Sequence, residues 1–267
     1  MPELPEVQTV VNTLQFIKNK RIISFQGFWE KILFSKNYTY LYQTIENQPI
    51  ASIERIGKYI IIKLKNNYIA FHLRMTGYLY GTKKLIKNKH VQCYFKLDDN
   101  SYLVYEDIRK FGGFYYSKNL DIIKNKLGID PYDRNFTFTW LKDNISTKKR
   151  QMKALLLDQK FIAGLGNIYV DEILWKSRIH PLKISNQLSQ KNITNLFNCI
   201  LPILDESIKF HGTTIINFKF DNMKTGNYRT KLNVYGRNKK QCNACDSIII
   251  KIRVAGRGTY VCKNCQA

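Results

Sequence analysis

The first residues of the chain, Met1-Pro2-Glu3, form a pattern that could do covalent chemistry. A proline directly after the initiator methionine is small enough for that methionine to be removed, which would make the Pro2 nitrogen a free secondary amine. An α-amine has a pKa of about 7.7 to 8.0, so a useful fraction is unprotonated at neutral pH. Such an amine attacks an aldehyde-like carbon, as lysine does in Schiff-base catalysis, and Glu3 could serve as the acid or base.

A plainer interpretation of the same stretch is a helix start. Pro5 suits the first turn of a helix, and Glu6 suits the positive end of the helix dipole. Apolar residues then repeat at helical spacing, so we expect a helix after Pro5 that would hold the N-terminal amine on a rigid element: Val7, Val10, Val11, Leu14 and Ile17.

The C-terminus carries a second chemical pattern, in which Cys242 and Cys245 form one CxxC pair and Cys262 and Cys265 another, with sixteen residues between the pairs. This spacing is typical of a tetrahedral zinc site with four thiolates, whereas redox CxxC pairs usually occur singly. A tail of 26 residues with few core residues could not fold alone, so the metal would supply its stability. We therefore expect one structural Zn²⁺ that holds a β-hairpin.

The charge balance indicates a polyanionic partner. The 267 residues include 43 Lys or Arg and 20 Asp or Glu, a formal net charge of +23. Enzymes that act on small metabolites rarely need that excess, so nucleic acid or an anionic membrane surface is the natural explanation. There is no signal pattern and no apolar run that approaches a membrane span, so we expect a cytosolic protein without a membrane partner.

Two further stretches suit contact with phosphates. Gly164-Leu165-Gly166 precedes Asn167, which we interpret as the N-cap of the next helix, and a helix N-terminus with free N–H groups binds anions. In the second stretch, Arg109, Lys110 and Phe111 stand beside glycines, a pattern that suits a loop which touches phosphates and wedges a ring between bases. Each stretch taken alone is also compatible with an ordinary turn.

The elements that must position these residues change character along the chain. Short β-rich runs separated by turn residues, Gly77 and Gly81 among them, fill the stretch from Arg21 to about Ser117, which predicts an antiparallel sandwich or barrel. The predicted strands are Arg21–Trp29, Ile50–Ile56, Lys58–Lys65, Tyr68–Leu73, Val91–Leu97, Ser101–Tyr105 and Gly113–Tyr116. After Pro131 the pattern becomes helical, and it ends in the cysteine-rich hairpin. The predicted helices are Thr139–Ile145, Lys149–Asp158, Asn167–Ser177, Gln190–Phe210 and Thr213–Phe218. The chain is therefore expected to be α+β, with domains at residues 1–132, 133–231 and 232–267.

Seven motifs follow one another along the chain: Met1–Val7, Gly57–Tyr59, His72–Gly77, Asp107–Gly112, Gly164–Tyr169, Val234–Arg237 and the cysteine finger. In these motifs and in their order the chain resembles, over its whole length, the bacterial formamidopyrimidine-DNA glycosylases, in the superfamily that also holds endonuclease VIII. The resemblance implies an N-terminal antiparallel β-sandwich with flanking helices, a helix-two-turns-helix domain and a zinc-finger β-hairpin. It also implies a bifunctional glycosylase and lyase of base excision repair, which removes 8-oxoguanine and formamidopyrimidines from duplex DNA and nicks the strand by β,δ-elimination.

The same resemblance assigns catalytic roles. Pro2 is then the nucleophile on the sugar C1′, Glu3 is its acid/base partner, and Glu6 supports the acidic cluster. Lys58 matches the family lysine that contacts phosphate and aids β-elimination. Arg257 matches the arginine assigned to δ-elimination and phosphate binding.

It assigns DNA contacts as well. Met75, Arg109 and Phe111 match the triad that fills the space left by the flipped nucleotide, and flipping costs a few kcal/mol that such wedges help to offset. The other positions expected to contact DNA are His72, His90, Lys149, Lys153, Asn167 and Tyr235. The expected partner is double-stranded DNA with oxidised bases or abasic sites, bound by a monomer in the bacterial cytoplasm near the nucleoid.

Some features depart from the family pattern or leave alternatives open. Gln8 and Arg74 replace residues that are more often acidic and glycine, and Asn217–Lys231, where the family has its lesion-capping loop, fits poorly. The start and the Met75, Arg109 and Phe111 set favour the formamidopyrimidine branch over an endonuclease VIII-like enzyme for oxidised pyrimidines. A non-catalytic zinc-finger DNA binder would not explain Pro2-Glu3, and an N-terminal-proline tautomerase would explain neither the charge nor the finger.

Overall fold

A computed structural model of the protein describes residues 1–86, 88–214, 220 and 224–266. It divides the chain into two compact units, one made of Met1–Asn125 with Phe210–Asn227 and the other of Lys126–Lys209 with Tyr228–Ala267. Within the first unit, Thr213 donates a hydrogen bond to Glu6, and Phe220 belongs to the hydrophobic core. The three consecutive domains expected from sequence stay a prediction.

The first unit contains an antiparallel sheet. Its strands are β1 (Arg21–Gly27), β2 (Gln48–Ile56), β3 (Tyr59–Leu64), β4 (Tyr68–His72), β5 (Gly77–Thr82), β6 (Val91–Leu97), β7 (Tyr102–Asp107) and β8 (Gly113–Ser117). The spatial order is β5-β7-β6-β1-β2-β3-β4-β8. The helices of this unit are α1 (Leu4–Thr13), α2 (Tyr38–Thr44) and α3 (Asp121–Lys124).

The sheet folds over on itself to form two layers. The β1 and β2 strands pair over only two residues, so the sheet bends at this junction. Rings from the two halves meet inside: Phe25 of β1 contacts Phe114 of β8 at 5.9 Å between centroids, and Phe71 of β4 contacts Phe95 of β6 at 6.2 Å. These buried aromatic contacts confirm the expected antiparallel β-sandwich.

The β5 strand was not expected, because its glycines were interpreted as turn signals. The structure gives these glycines a packing role instead. A Cβ at Gly77 would lie 2.5 Å from the Tyr105 hydroxyl, and a Cβ at Gly81 would lie 2.0 Å from the Phe16 ring. Close approach of a neighbouring side chain is the other common reason for a glycine inside a strand.

Two more elements differ from the sequence interpretation. The α2 helix was missed, although the Asn37 side chain caps it by accepting a hydrogen bond from the N–H of Tyr40. A helix was expected over Thr213–Phe218, but Thr213 forms an antiparallel bridge with Asn227, and residues 215–219 lie outside the described part. The expected capping-loop segment, Asn217–Lys231, is likewise described only at residues 220 and 224–231.

The second unit is helical and ends in a hairpin. Its helices are α4 (Phe138–Ser146), α5 (Met152–Leu157), α6 (Asn167–Lys176) and α7 (Gln190–Lys209), and its strands are β9 (Ile250–Val254) and β10 (Arg257–Val261). The helices agree with those expected at these positions, and both strands agree with the expected hairpin. Over the described residues, no helix is both long and apolar enough to cross a membrane.

Candidate active site and nucleic-acid interface

The N-terminal residues are held by a reciprocal cap at the start of α1. Glu3 is the N-cap residue, its side chain accepts from the helix backbone, and its own N–H donates to Glu6 Oε2 at 2.8 Å. Glu3 is 3% exposed and Glu6 is 1% exposed. Burying two carboxylates is costly unless they accept hydrogen bonds, so the capping box both starts the helix and holds the acids beside the terminus.

The terminal amine lies in an environment that favours its neutral form. In this structure Met1 is attached, so the amine is that of Met1 and the Pro2 nitrogen is an amide. Burial lowers the pKa of the Met1 amine below its ordinary value of 8.0, and Lys58 and Arg109 lower it further, while Glu3 and Glu6 raise it. Four predicted site residues therefore act electrostatically on the terminus, within the first unit.

The structure brings Lys58 close to His72, because Lys58 directly precedes Tyr59, which pairs with His72 between β3 and β4. Lys58 follows Gly57, which has φ 55°, in the turn between β2 and β3, and it is only 6% exposed. His72 is also buried, and burial together with the charges of Arg74 and Lys58 lowers its pKa to about 3. The neutral His72 ring accepts a hydrogen bond at Nδ1 from the Arg74 N–H, at 3.1 Å.

Arg74 itself departs from the residue expected at this position, and the backbone gives the reason. Its φ is 52°, in the left-handed region that favours glycine. The hydrogen bond to His72 Nδ1 fastens this strained residue at the end of β4. Arg74 therefore keeps the turn geometry that a glycine would give, with a positive charge added beside the site.

The three predicted wedge residues are on the surface of the first unit. Met75 is 43% exposed and Phe111 is 54% exposed, and the exposed Arg109 guanidinium lies 4.5 Å from the centroid of the Phe111 ring. A core residue would be buried, so the exposure of these side chains leaves them available to a partner. His90, also predicted to contact DNA, is half-buried just before β6, with its N–H bonded to the Asn88 side chain at 2.8 Å.

In the second unit, two lysines that were predicted alike turn out to differ. Lys149 is exposed in the turn before α5, as a phosphate contact requires. Lys153 is 0% exposed, and its ammonium donates to Asp171 at 2.6 Å and to the Gly258 carbonyl at 3.3 Å. Burial raises the pKa of Asp171, and the contact with Lys153 opposes that rise. The structure therefore places Lys153 in an internal ion pair.

Asn167 was interpreted as a helix N-cap, and this interpretation was wrong. Gly166 is the N-cap residue, and Asn167 is the first residue of α6. The Asn167 side chain instead donates to the Gly258 carbonyl at 3.1 Å, while its Oδ1 is buried without a hydrogen-bond partner among the described residues. Lys153 and Asn167 therefore converge on one carbonyl of the finger hairpin.

The finger is tied to α6 by two adjacent acids that sequence reasoning passed over. Asp171 accepts from the Tyr260 N–H at 3.0 Å, and Glu172 accepts from the N–H groups of Val234 and Tyr235 at 2.9 and 2.8 Å. Tyr235, a predicted DNA contact, also packs against the Tyr260 ring at 5.1 Å. The missed signal was a pair of acids inside an apolar helix sequence, where a charge is retained only if it has partners.

The four cysteines form the site of one structural zinc. Their Sγ atoms all lie within 4.8 Å of one another, and the Cys242–Cys265 and Cys245–Cys262 distances are 3.8 and 3.5 Å. Tetrahedral coordination with Zn–S bonds of about 2.3 Å requires sulfur atoms about 3.8 Å apart, so the geometry fits the metal. All four ligand positions are thiolates, which leaves no position for a catalytic water.

The zinc site lies at the base of the hairpin, and Arg257 lies at its tip. A two-residue turn joins β9 to β10, in which Ala255 has φ 51° and Gly256 has φ 70°. Two successive positive φ values are typical of a type I′ hairpin turn. Arg257 is exposed immediately after this turn, so its guanidinium is available to a partner.

Three family models match the chain. The formamidopyrimidine-DNA glycosylase N-terminal domain matches residues 1–114, the formamidopyrimidine-DNA glycosylase H2TH domain matches residues 127–219, and the zinc finger found in FPG and IleRS matches residues 239–267. The three matches follow one another in the order of the sandwich, the helices and the finger.

Relatives and solved structures agree over the full length. Proteins named formamidopyrimidine-DNA glycosylase are 38% identical in Protochlamydia amoebophila and 39% in Mycoplasma genitalium, over 100% of this chain and 99% and 96% of theirs. The Lactococcus lactis Fpg in complex with DNA that contains an abasic site has a TM-score of 0.90, 34% identity and 99% coverage of both chains. MutM in complex with DNA that contains carbocyclic 8-oxo-G has a TM-score of 0.89, 34% identity and 100% coverage of both chains. The chain therefore belongs to the formamidopyrimidine-DNA glycosylase family.

Proposed function

We propose that this protein is a bifunctional DNA glycosylase and abasic-site lyase that removes oxidised purines from duplex DNA. The observation that carries the proposal is the N-terminus, where the buried Glu3, Glu6 and Lys58 act electrostatically on the terminal amine in a member of this family. The relatives solved with DNA that contains an abasic site or carbocyclic 8-oxo-G support the same substrate class.

The proposed first step uses Pro2 after removal of Met1. Its neutral nitrogen attacks C1′ of the damaged nucleoside, the bond from C1′ to the base breaks, and a proton is delivered to the departing base. Opening of the sugar leaves an iminium between C1′ and Pro2, for which Glu3 is the acid/base partner. A secondary amine gives an iminium that stays charged at every pH, and this charge draws electrons from the neighbouring carbon.

The second step breaks the strand. Loss of a proton from C2′ allows the bond from C3′ to its phosphate oxygen to break, and a further elimination releases the phosphate on C5′. We assign Lys58 to phosphate contact during the first elimination and Arg257 to the second. Arginine suits this role because it stays charged and offers a planar fork to phosphate oxygens.

The net charge of +23 supports binding to the DNA backbone. Lysine and arginine contacts to phosphate dominate the affinity of such proteins and steer them to DNA. Exposed cations that suit this role include Arg109 in the first unit and Lys149 and Arg257 in the second. We further propose that the protein acts as a monomer in the bacterial cytoplasm, in association with the nucleoid.

Borohydride trapping tests the nucleophile. Reduction of the iminium during reaction with a duplex that contains 8-oxoguanine should give a covalent adduct whose DNA-bearing peptide begins at Pro2, and intact mass should show that Met1 is absent. Matched duplexes with an oxidised pyrimidine distinguish an endonuclease VIII-like preference.

Two variants serve as controls for the trapping. Pro2→Gly replaces the secondary amine of the terminus with a primary one and should trap less, whereas Glu3→Gln should bind the duplex and fail to release the base. An adduct that maps to Lys58, with Pro2→Gly fully active, would contradict the assignment of Pro2. No adduct with any lesion duplex would contradict the glycosylase and lyase proposal as a whole.

A further inference from the structure

The Asp107 carboxylate forms hydrogen bonds with both loops that carry the wedge residues. These loops are residues 73–76, between β4 and β5, and residues 108–112, between β7 and β8. Asp107 ends β7 and is 0% exposed. Its Oδ2 accepts hydrogen bonds from the N–H groups of Phe111 and Gly112, at 3.0 and 2.8 Å. Its Oδ1 accepts from the Arg109 N–H at 3.1 Å and from the Thr76 hydroxyl.

The Thr76 hydroxyl connects the second loop to the same centre. While it donates to Asp107, it also accepts a hydrogen bond from the Arg109 N–H at 3.1 Å. Thr76 directly follows Met75, so one hydroxyl and one carboxylate fix the positions from which Met75, Arg109 and Phe111 project. These three side chains are exposed, whereas the groups that fix their backbone are buried or half-buried.

The packing around this carboxylate leaves little freedom. The Tyr105 hydroxyl lies 3.4 Å from Asp107 Oδ2, and a Cβ at Gly112 would come within 2.0 Å of that hydroxyl. The Asp107 N–H donates to the His90 carbonyl at 2.9 Å, and the buried Gln92 side chain donates to the Asp107 carbonyl at 3.2 Å. The backbone before β6, where His90 lies, is therefore tied to the same residue.

Both loops contain strained backbone that needs such support. Arg74 has φ 52° and Lys110 has φ 55°, and neither is a glycine. Non-glycine residues in this region persist where the surroundings over-determine the conformation. A buried carboxylate that accepts several backbone N–H groups supplies that constraint, because each N–H would otherwise lose its partner.

We propose that Asp107 is a positioning residue for nucleotide flipping, one that pre-forms the wedge of Met75, Arg109 and Phe111 before DNA arrives. The proposal rests on the proposed function, in which the wedge fills the space left by the flipped nucleotide. If both loops are already ordered in the free protein, no binding free energy is lost in ordering them when DNA binds. Asp107 itself touches no reacting atom and acts only through the loops.

The test compares Asp107→Asn with Asp99→Asn, since Asp99 is an exposed acid at the opposite turn of the same β6–β7 hairpin. An asparagine at 107 keeps the shape but presents an amide NH₂ to backbone N–H groups, so at least one of these N–H groups loses its carboxylate acceptor. We expect single-turnover excision of 8-oxoguanine from duplex DNA to fall about 100-fold, as for other small misplacements of a positioned group. Strand cleavage at a preformed abasic site should fall much less, and Asp99→Asn should match the parent in both reactions.

A fluorescent base beside the lesion gives a readout that does not depend on chemistry. With 2-aminopurine next to 8-oxoguanine, the rise in fluorescence that reports unstacking should slow in Asp107→Asn in parallel with excision. Thr76→Val removes only the hydroxyl link and should give a smaller loss of the same kind, and Thr76→Ser should restore the parent behaviour.

Two results would overturn the inference. The first is duplex excision in Asp107→Asn or Thr76→Val equal to that of Asp99→Asn. The second is an equal loss on the duplex lesion and the abasic site, with no rescue by serine, which would show a merely structural role. If Asp107→Asn does not fold, the comparison of valine and serine at position 76 decides the matter. If the parent protein itself neither excises lesions nor cleaves abasic sites, the proposed function fails instead.

Discussion

The Thr213 N–H donates a 2.6 Å hydrogen bond to Glu6 Oε1, although the two residues are 207 positions apart in the chain. The other oxygen of the same carboxylate accepts from the Glu3 N–H at 2.8 Å. The Glu6 side chain of α1 thus holds both the catalytic candidate Glu3 and the backbone at Thr213. Gly212 is in contact with Glu6 at this point and has φ 79°.

We expect Gly212→Ala to destabilise the first unit. The alanine would have to keep a positive φ, and its Cβ would come within 2.8 Å of Glu6 Oε1. Left-handed backbone alone costs about 1–2 kcal/mol, and the contact adds to it. Gly236→Ala is the control, because Gly236 has φ 75° with nothing within 4 Å of the added Cβ. Urea unfolding should show the larger loss at 212, and equal losses would show that the Glu6 contact is unimportant.

Phe111→Ala should leave the protein folded and impair excision from duplex DNA. The ring is 54% exposed, so its removal leaves no core cavity. Excision of 8-oxoguanine should fall more than cleavage at a preformed abasic site, since the wedge helps to offset the free energy of flipping. Phe16→Ala removes a ring of similar exposure, 50%, at a site without a predicted DNA contact, and it should leave both rates unchanged. A large drop in Tm for Phe111→Ala would place the ring in the fold instead.

Truncation of Lys153 should lower the stability of the protein, whereas truncation of Lys149 should weaken its binding to DNA. Lys153→Ala leaves Asp171 buried without its cation, which destabilises proteins by about 3–5 kcal/mol. Lys149→Ala should leave the free energy of unfolding unchanged within about 0.5 kcal/mol, as for other surface changes. It should instead make the slope of log K against log salt shallower by about 0.9, the contribution of one phosphate contact. Urea unfolding and salt titrations of duplex binding measure the two effects, and an unaltered salt slope in Lys149→Ala would remove it from the interface.

Zinc removal should unfold the finger and leave the β-sandwich folded. Trp175 of α6 packs against the cysteine cluster, so its fluorescence should change on chelation or in Cys262→Ser. DNA binding should be lost at the same time, because the hairpin that carries Arg257 depends on the metal. Arg257→Ala should retain one zinc and slow the final elimination, seen as accumulation of the β-elimination product. A zinc-free protein that cuts lesion DNA at the normal rate would show that the finger is dispensable.

Stability should fall in acid partly through His72. Its pKa is about 3 in the folded protein, against 6.5 for an ordinary histidine, so below pH 6.5 the unfolded chain binds more protons than the folded one. Stability is therefore lost as the pH falls from about 6.5 towards 3, by at most about 1.4 kcal/mol per pH unit for one group. His72→Asn keeps an acceptor for the Arg74 N–H without this titration. Urea unfolding between pH 4 and 7 should show a flatter profile for the variant, and identical slopes would exclude His72 as the cause.

Local sequence patterns determined the regular elements and the metal site. Short β-rich runs bounded by turn residues predicted seven of the eight sandwich strands, because β-branched and aromatic side chains fit a packed, pleated surface. The spacing of Cys242, Cys245, Cys262 and Cys265 predicted the zinc site, because each CxxC pair reaches one metal without help from distant residues. The β5 strand was missed because Gly77 and Gly81 have packing partners, Tyr105 and Phe16, that are distant in sequence.

Only the tertiary structure decided which polar groups are buried and what they hold. Lys149 and Lys153 look alike in the sequence, and only the approach of Asp171 and Gly258 makes one of them internal. The role of the Asp107 carboxylate likewise depends on a loop about thirty residues earlier, which ends at Thr76. A charge is retained in the interior only where other segments bring it hydrogen-bond partners, and those partners are set by the fold rather than by neighbours in the chain.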